Sequence, residues 1–201
     1  MVMKIFGDSI SGNCLKVKWV ADLLGLTYAW VETGVLAGET RTPDFLAINP
    51  AGQVPVLVLE DGRPLAQSNA ILLHLAAGTP LIPSDPYLRA RMLEWMFWEQ
   101  YSHEPCVAVA RFQVRYLGRP AAELDPDLVR RANGALDHLE AALAGRAWLV
   151  GDSFSLADLS LMPYTRFAPE GGMSLEARPN LRAWIGSCEA RLGLNPLESP
   201  T

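Results

Sequence analysis

Three short stretches carry side chains whose types and spacing could do chemistry. In residues 7–14 (GDSISGNC), Ser11 stands just ahead of an apolar-periodic run, where the first amides of a helix can stabilise an anion. Ser9, Asn13 and Cys14 are its rivals. Cys14 is intrinsically the better nucleophile, but it falls within the expected helix start beside Leu15. The serines can equally be loop polarity, with one bonding to the backbone. In the second stretch, Gln67-Ser68 opens another helix, whose free amides and dipole attract a carboxylate, unless Ser68 is an ordinary cap. The third is Val54-Pro55, ahead of the apolar run Val56, Leu57, Val58, Leu59. A trans Pro55 merely starts a strand there. A cis bond turns the chain sharply and lets Val54 offer its N–H and C=O to an extended peptide. Together these features describe a site for a small peptide with a carboxylate end. Thr40 and Arg41, in the segment 34–43, either reach such a ligand or belong to a solvated loop.

The elements that must position these residues follow from periodicity and turn chemistry. Residues 3–6 and 27–31 read as strands flanking a helix that carries Leu15, Val17, Val20, Leu23 and Leu24. After an irregular segment, residues 56–59 and 65–66 form a hairpin around Asp61-Gly62, and a helix continues through Ile71, Leu72 and Leu75. The order strand, helix, strand, hairpin, helix predicts a small α/β layer with the first loop, Val54 and Ser68 at one end. Residues 78–86 (GTPLIPSDP) contain three prolines and no periodicity, which marks a linker between a domain at 1–77 and one at 87–201.

Beyond the linker the pattern is helical. Residues 87–101 carry Leu88, Met92, Trp95, Met96 and Trp98, and Pro105 is expected to break or kink the run before 107–117. Asp125-Pro126 caps and opens another helix, and Pro179 starts the last. In residues 151–161 (GDSFSLADLSL), Ser155 and Asp158 form a short-armed capping box with Phe154 at the staple position. Asp158 is therefore structural. Trp95, Trp98, Phe112 and Tyr116 are core aromatics or the lining of an apolar pocket. Arg111 and Arg115, four apart, share a helical face and are either solvated or hold an acidic substrate or cofactor.

Composition narrows the class. An apolar fraction of 50% supports a real core, and a net charge of −5 argues against nucleic-acid binding by phosphate neutralisation. Cys14, Cys106 and Cys188 are irregularly spaced, as are His74, His103 and His138, so neither a disulfide framework nor a metal site is expected. No signal segment or membrane-span run stands out, which favours a cytoplasmic setting without a membrane partner.

The whole chain resembles a cytosolic glutathione S-transferase of the serine type, theta- or phi-like and bacterial in character. The resemblance rests on SGNCLKV after the first strand, NPAGQVPVL, AQSNAILLHLA, and SLAD in the helical half. It implies an α/β thioredoxin-like N-terminal domain with Pro55 cis, an all-α C-terminal domain, and a homodimer. It also implies glutathione as co-substrate, no metal, and transfer of the thiol to a small apolar electrophile. Ser11 falls at the family's sulfur-bonding serine, with Asn13 able to assist. Val54, before Pro55, falls where the cysteinyl part pairs with backbone, and Gln67-Ser68 where the γ-glutamyl end is held. Gln53 and Thr40-Arg41 match positions that meet the glycyl end. The electrophile pocket is expected to draw on Ser9, Arg111, Phe112, Arg115 and Tyr116. Uncharged Gln67 leaves the ligand ammonium short of a partner, which a second chain can supply. Two rival readings stand beside this one: a glutathione-dependent reductase or peroxidase using Cys14, and a non-catalytic interaction module that keeps the fold.

Overall fold

Side-chain alternation along one strand decides how the first half is layered. In the computed structural model, which describes residues 2–196, β1 (Met3–Gly7) runs parallel to β2 (Tyr28–Glu32) and antiparallel to β3 (Val56–Val58). β4 (Pro64–Ala66) completes a sheet of order β2-β1-β3-β4. The register sets Ile5 beside Trp30 and Leu57, and Leu57 beside Leu65. On that face Ile5 and Leu57 pack with Val17 and Ala21 of α1 (Gly12–Leu23) and Ile71 of α3 (Ser68–Leu75). Each such buried aliphatic side chain contributes about 1.5–3 kcal/mol. Phe6, one residue on, points to the opposite face and meets Phe45 of α2 (Pro43–Ile48) edge-on, ring centroids 6.2 Å apart.

α2 lies in a segment whose pattern predicts no element. Its local signal is Thr42-Pro43: the Thr42 hydroxyl accepts the Phe45 N–H at 3.3 Å, and Pro43 occupies the first helical turn. The strand bounds differ from expectation by a residue at several ends, and Val54–Pro55 is cis. The resulting βαβ–ββα arrangement is the thioredoxin-like one.

The chain divides into two units at Thr79–Pro80, inside the expected linker, and the second unit is helical throughout its described residues. Asp85 caps α4 (Pro86–Trp98) by accepting the Leu88 N–H at 2.8 Å. Pro105 does not break the run. The chain passes through a π-helical turn at Glu99–His103 into α5 (Glu104–Arg111). The wider turn just ahead of Pro105 accommodates a residue that has no N–H to donate and whose ring crowds the carbonyl four positions back. A second π turn follows at Phe112–Tyr116.

α6 (Pro126–Ala142), α7 (Leu156–Arg166) and α8 (Pro179–Leu192) complete the unit. Every residue of α7 is buried. Its capping box forms as the spacing predicts: Ser155 accepts the Ala157 N–H, and Asp158 accepts the Ser155 N–H at 3.0 Å. The same carboxylate also accepts Leu149 N–H and Trp184 Nε1–H, each at 2.9 Å, and the Ser155 hydroxyl at 3.1 Å. Burial raises the Asp158 pKa, and these four donors oppose that rise by favouring the charged form. Among the described residues no helix is long and apolar enough to cross a membrane.

Asp158→Ala strips four donors of their acceptor inside the core. The expected loss is about 3 kcal/mol or more, read as a lower denaturation midpoint with an unchanged denaturant slope.

Candidate functional site

The first loop is shaped by its own acids. The buried Asp8 carboxylate accepts Ile10 N–H at 3.1 Å and Val35 N–H at 3.4 Å, and the Asp8 carbonyl accepts Ser11 N–H at 3.0 Å. Glu32, at the end of β2, accepts Ser9 N–H at 2.8 Å and Trp30 Nε1–H at 2.7 Å. Partial burial works against its charge, but the hydrogen bonds from Trp30 and Ser9 prevail and hold the Glu32 carboxyl below its ordinary value. The Trp30 ring lies over Gly7, where a Cβ would come within 2.4 Å of it. A glycine is what lets strand, ring and loop close together there.

Ser11 is the N-cap of α1, with extended backbone and no capping bond from its hydroxyl. That hydroxyl instead reaches the Cys14 sulfur. Cys14 is the third helical residue and fully buried, and its Sγ accepts the Asp8 N–H at 3.3 Å. Burial drives the Cys14 thiol up to about 12, with the Asp8 and Glu32 charges adding to the rise and the two hydrogen bonds opposing it. Cys14 is therefore a protonated core thiol near neutral pH. Burial raises Cys106 and Cys188 as well, and all three cysteines are free and buried.

At α3, the cap is Gln67 and not Ser68: the Ile71 N–H bonds to the Gln67 carbonyl at 3.0 Å, and Ser68 is the first helical residue. Gln67 holds φ 72°, and among the described residues it is the one non-glycine at positive φ. Such a conformation costs about 1–3 kcal/mol and persists where surrounding structure imposes it, often at a ligand site. It sets the exposed Gln67 at the mouth of α3, while the first-turn N–H groups have no intrahelical acceptor. The buried Ser68 hydroxyl donates to Asn13 Oδ1 at 3.1 Å, joining the first turns of α1 and α3.

Val54 precedes the sheet ladder, which ends where Val56 meets Phe6 and Ala66, so neither strand claims its backbone groups. The loop before it is held by Asn49, which donates to the Gln53 carbonyl at 2.8 Å and accepts Ala51 N–H at 3.2 Å. Arg41 donates to the Ala51 carbonyl at 3.3 Å and lies over Gly52, where a Cβ would be 2.2 Å from its Nη1. Thr40 is buried, whereas Arg41 and Gln53 are exposed. The first unit thus joins Ser11 to Cys14, Asn13 to Ser68, and Arg41 to the loop carrying Gln53 and Val54. Asp8, Glu32 and Asn49 were missed as positioning residues. Asn49-Pro50 is a turn signal that marks one of them, whereas Glu32 acts across 23 residues and has no local signature.

In the helical unit Arg111 is buried, donates to Glu170 at 2.8 Å, and lies 4.7 Å over the Phe167 ring. Arg115, four residues on and within the π turn, is exposed. Phe112 and Tyr116 stack with centroids 4.8 Å apart, Phe112 being exposed. Trp95 is buried against Trp98 and His138 as a core aromatic.

Comparison with known proteins agrees with this geometry. The family model "Glutathione S-transferase, N-terminal domain" matches residues 10–77, and "Glutathione S-transferase, C-terminal domain" matches residues 97–191. Glutathione S-transferase 3 of Zea mays is 34% identical, over 94% of this chain and 90% of its own length. The structure of a glutathione S-transferase from Pseudomonas fluorescens Pf-5 superposes with a TM-score of 0.90 at 46% identity, covering 94% of this chain and 96% of that one. Ure2p in complex with glutathione superposes with a TM-score of 0.84 at 26% identity, covering 94% of each chain. With both domain models matched in order and a relative this similar over nearly the full length, the chain belongs to the glutathione S-transferase family.

Proposed function

We propose that this protein is a glutathione transferase that stabilises the glutathione thiolate and delivers it to a small apolar electrophile. The observation that carries the reading is the placement of Ser11. It is the N-cap of α1, its hydroxyl caps no backbone amide but reaches the Cys14 sulfur, and Asn13, two residues on, bonds to Ser68 at the head of α3. The γ-glutamyl carboxylate meets the amides at Ser68, with Gln67 beside the ammonium. The cysteinyl backbone pairs with Val54, and Gln53, Thr40 and Arg41 serve the glycyl end. Of the last three, buried Thr40 acts through its backbone or by holding Arg41. Ser9 edges the sulfur side. Phe112 and Tyr116, with Arg115 on the same turn, offer the electrophile an aromatic face.

The chemistry asks for little more. A free thiol titrates near ~8.5, and each unit of lowering corresponds to ~1.4 kcal/mol favouring the thiolate. On binding, the thiol proton leaves to solvent, and donors at Ser11 and the α1 amides hold the sulfur anion. A sulfur lone pair then forms the C–S bond while the electrophile's leaving group departs with its bonding pair. Buried Cys14, with its thiol at about 12, weighs against the disulfide-exchange reading. A homodimer, a cytoplasmic setting and a detoxifying role complete the proposal. Exposed Phe97 and Tyr101, 71% and 87% accessible, support the dimer as apolar surface for a second copy to cover.

Ser11→Ala is expected to raise the pKa of bound glutathione by about one unit and lower turnover about tenfold near neutral pH. Activity should recover toward wild type at alkaline pH, because the thiolate fraction then saturates in both proteins. The checks are the pH dependence of turnover and the thiolate absorbance of the bound complex. A large shift in Cys14→Ala or Ser9→Ala, with none in Ser11→Ala, would move the role to those residues. Calorimetry should show glutathione binding at millimolar ligand or below, and its absence would favour an interaction module. Turnover should persist when all three cysteines are replaced. Sedimentation at micromolar protein should give a dimer, and a monomer would contradict that part of the reading.

A further inference from the structure

The backbone amides of residues 8–11, between β1 and α1, all have acceptors. Asp8 N–H donates to Cys14 Sγ at 3.3 Å, Ile10 N–H to the Asp8 carboxylate at 3.1 Å, and Ser11 N–H to the Asp8 carbonyl at 3.0 Å. Those bonds close within the loop and the first turn of α1. The Ser9 N–H goes elsewhere, to Glu32 Oε1 at 2.8 Å, across 23 residues. The other oxygen of that carboxylate accepts Trp30 Nε1–H at 2.7 Å. Trp30 and Glu32 alternate with Val31 in β2 and so share a face of the sheet. The indole packs against the core that α1 covers, and its ring lies over Gly7. Glu32 is exposed, and a long exposed side chain ordinarily samples several rotamers. Here the indole bond selects one of them, and that one also serves Ser9.

We propose that Glu32 is a positioning residue for the thiolate: anchored by Trp30, it holds the Ser9 amide and so fixes the turn that presents Ser11 at the head of α1. The inference rests on the glutathione reading above. In this role Glu32 acts through the loop and not on the sulfur. Its charge works the other way. Beyond the larger effect of burial, the charges of Asp8 and Glu32 both raise the Cys14 thiol in the first turn of α1, and a thiolate held at that helix end feels the same sign. Positioning and charge therefore give opposite shifts when Glu32 is removed. Loss of the clamp raises the pKa of the bound thiol, and loss of the charge lowers it.

The test is a titration of the bound thiol by ultraviolet absorbance at saturating glutathione, with kcat and KM measured alongside and Ser9 amide hydrogen exchange followed in the free protein. Glu32→Ala should raise the thiol pKa by about half a unit or more and lower kcat near neutral pH about threefold or more. KM should change less, because the rest of the peptide is held elsewhere. Ser9 exchange in that variant should quicken about tenfold. Trp30→Phe keeps a ring over Gly7 but loses the indole donor, and should shift the thiol in the same direction by less. Glu32→Gln has one accepting oxygen for two donors and should also raise the pKa. In the double variant Trp30→Phe, Glu32→Gln the second donor is gone, so the amide oxygen can serve Ser9, and the pKa should return to the wild-type value or below it. A lowered or unchanged thiol pKa in Glu32→Ala would overturn the proposal, because Glu32 would then act by charge alone or not at all. A double variant that titrates no nearer to wild type than Glu32→Gln would overturn it too. If the wild-type complex titrates like free glutathione, or none binds, the glutathione reading itself fails and takes this proposal with it.

Discussion

The packing of α1 and α3 side by side on one face of the sheet is the constraint on which the site depends. Ile5 and Leu57 present a continuous apolar surface, and Val17, Ala21 and Ile71 cover it. Helices are oriented by the stripe they must bury, so this choice of face places both N-termini together. Asn13 and Ser68, each in the first turn of its helix, meet for that reason, and Ser11 caps the first of the two helices. None of them contributes to the cluster that brings them together.

The same packing separates two groups that look alike in the first loop. Ser11 and Cys14 are three residues apart, and each could face a ligand sulfur. One residue ends in the extended cap and the other in the third helical position, which turns its side chain into the core. Burial costs the charged form more than the neutral one, and the Cys14 thiol rises to about 12 as a consequence. A residue of greater intrinsic reactivity is thereby silenced, while a hydroxyl with almost none is left beside the helix amides. Its use is to favour another molecule's charge.

Buried charge in the helical unit follows a different logic. Asp158 collects donors from a loop, its own cap and α8, and Arg111 combines Glu170 with the Phe167 ring. Removing either from water is costly unless every lone pair or N–H finds a partner. Such groups specify which helices lie together more than they add net stability.

What the sequence by itself determined is local. The turn at Asp61-Gly62, the cap at Asp125, and the Ser155–Asp158 box depend on groups within four residues of one another, so spacing alone exposes them. Strand alternation fixed only that neighbours along a strand face opposite ways, and the register that puts Ile5 beside Leu57 came from the fold. The tertiary structure decided the rest. The isomer at Val54–Pro55, the burial of Cys14, the pairing of Arg111 with Glu170 59 residues away, and the gift of the Ser68 proton to Asn13 each require knowing what packs against what. Arg111 and Arg115 show the limit most plainly. Four-residue spacing says nothing of which arginine an acidic partner and an aromatic ring from elsewhere in the chain will bury, and only the fold makes Arg111 the buried one and leaves Arg115 exposed. Hydrogen bonds along the chain are written in the order of residues. Desolvation and contacts between distant residues come into being only when the apolar faces close.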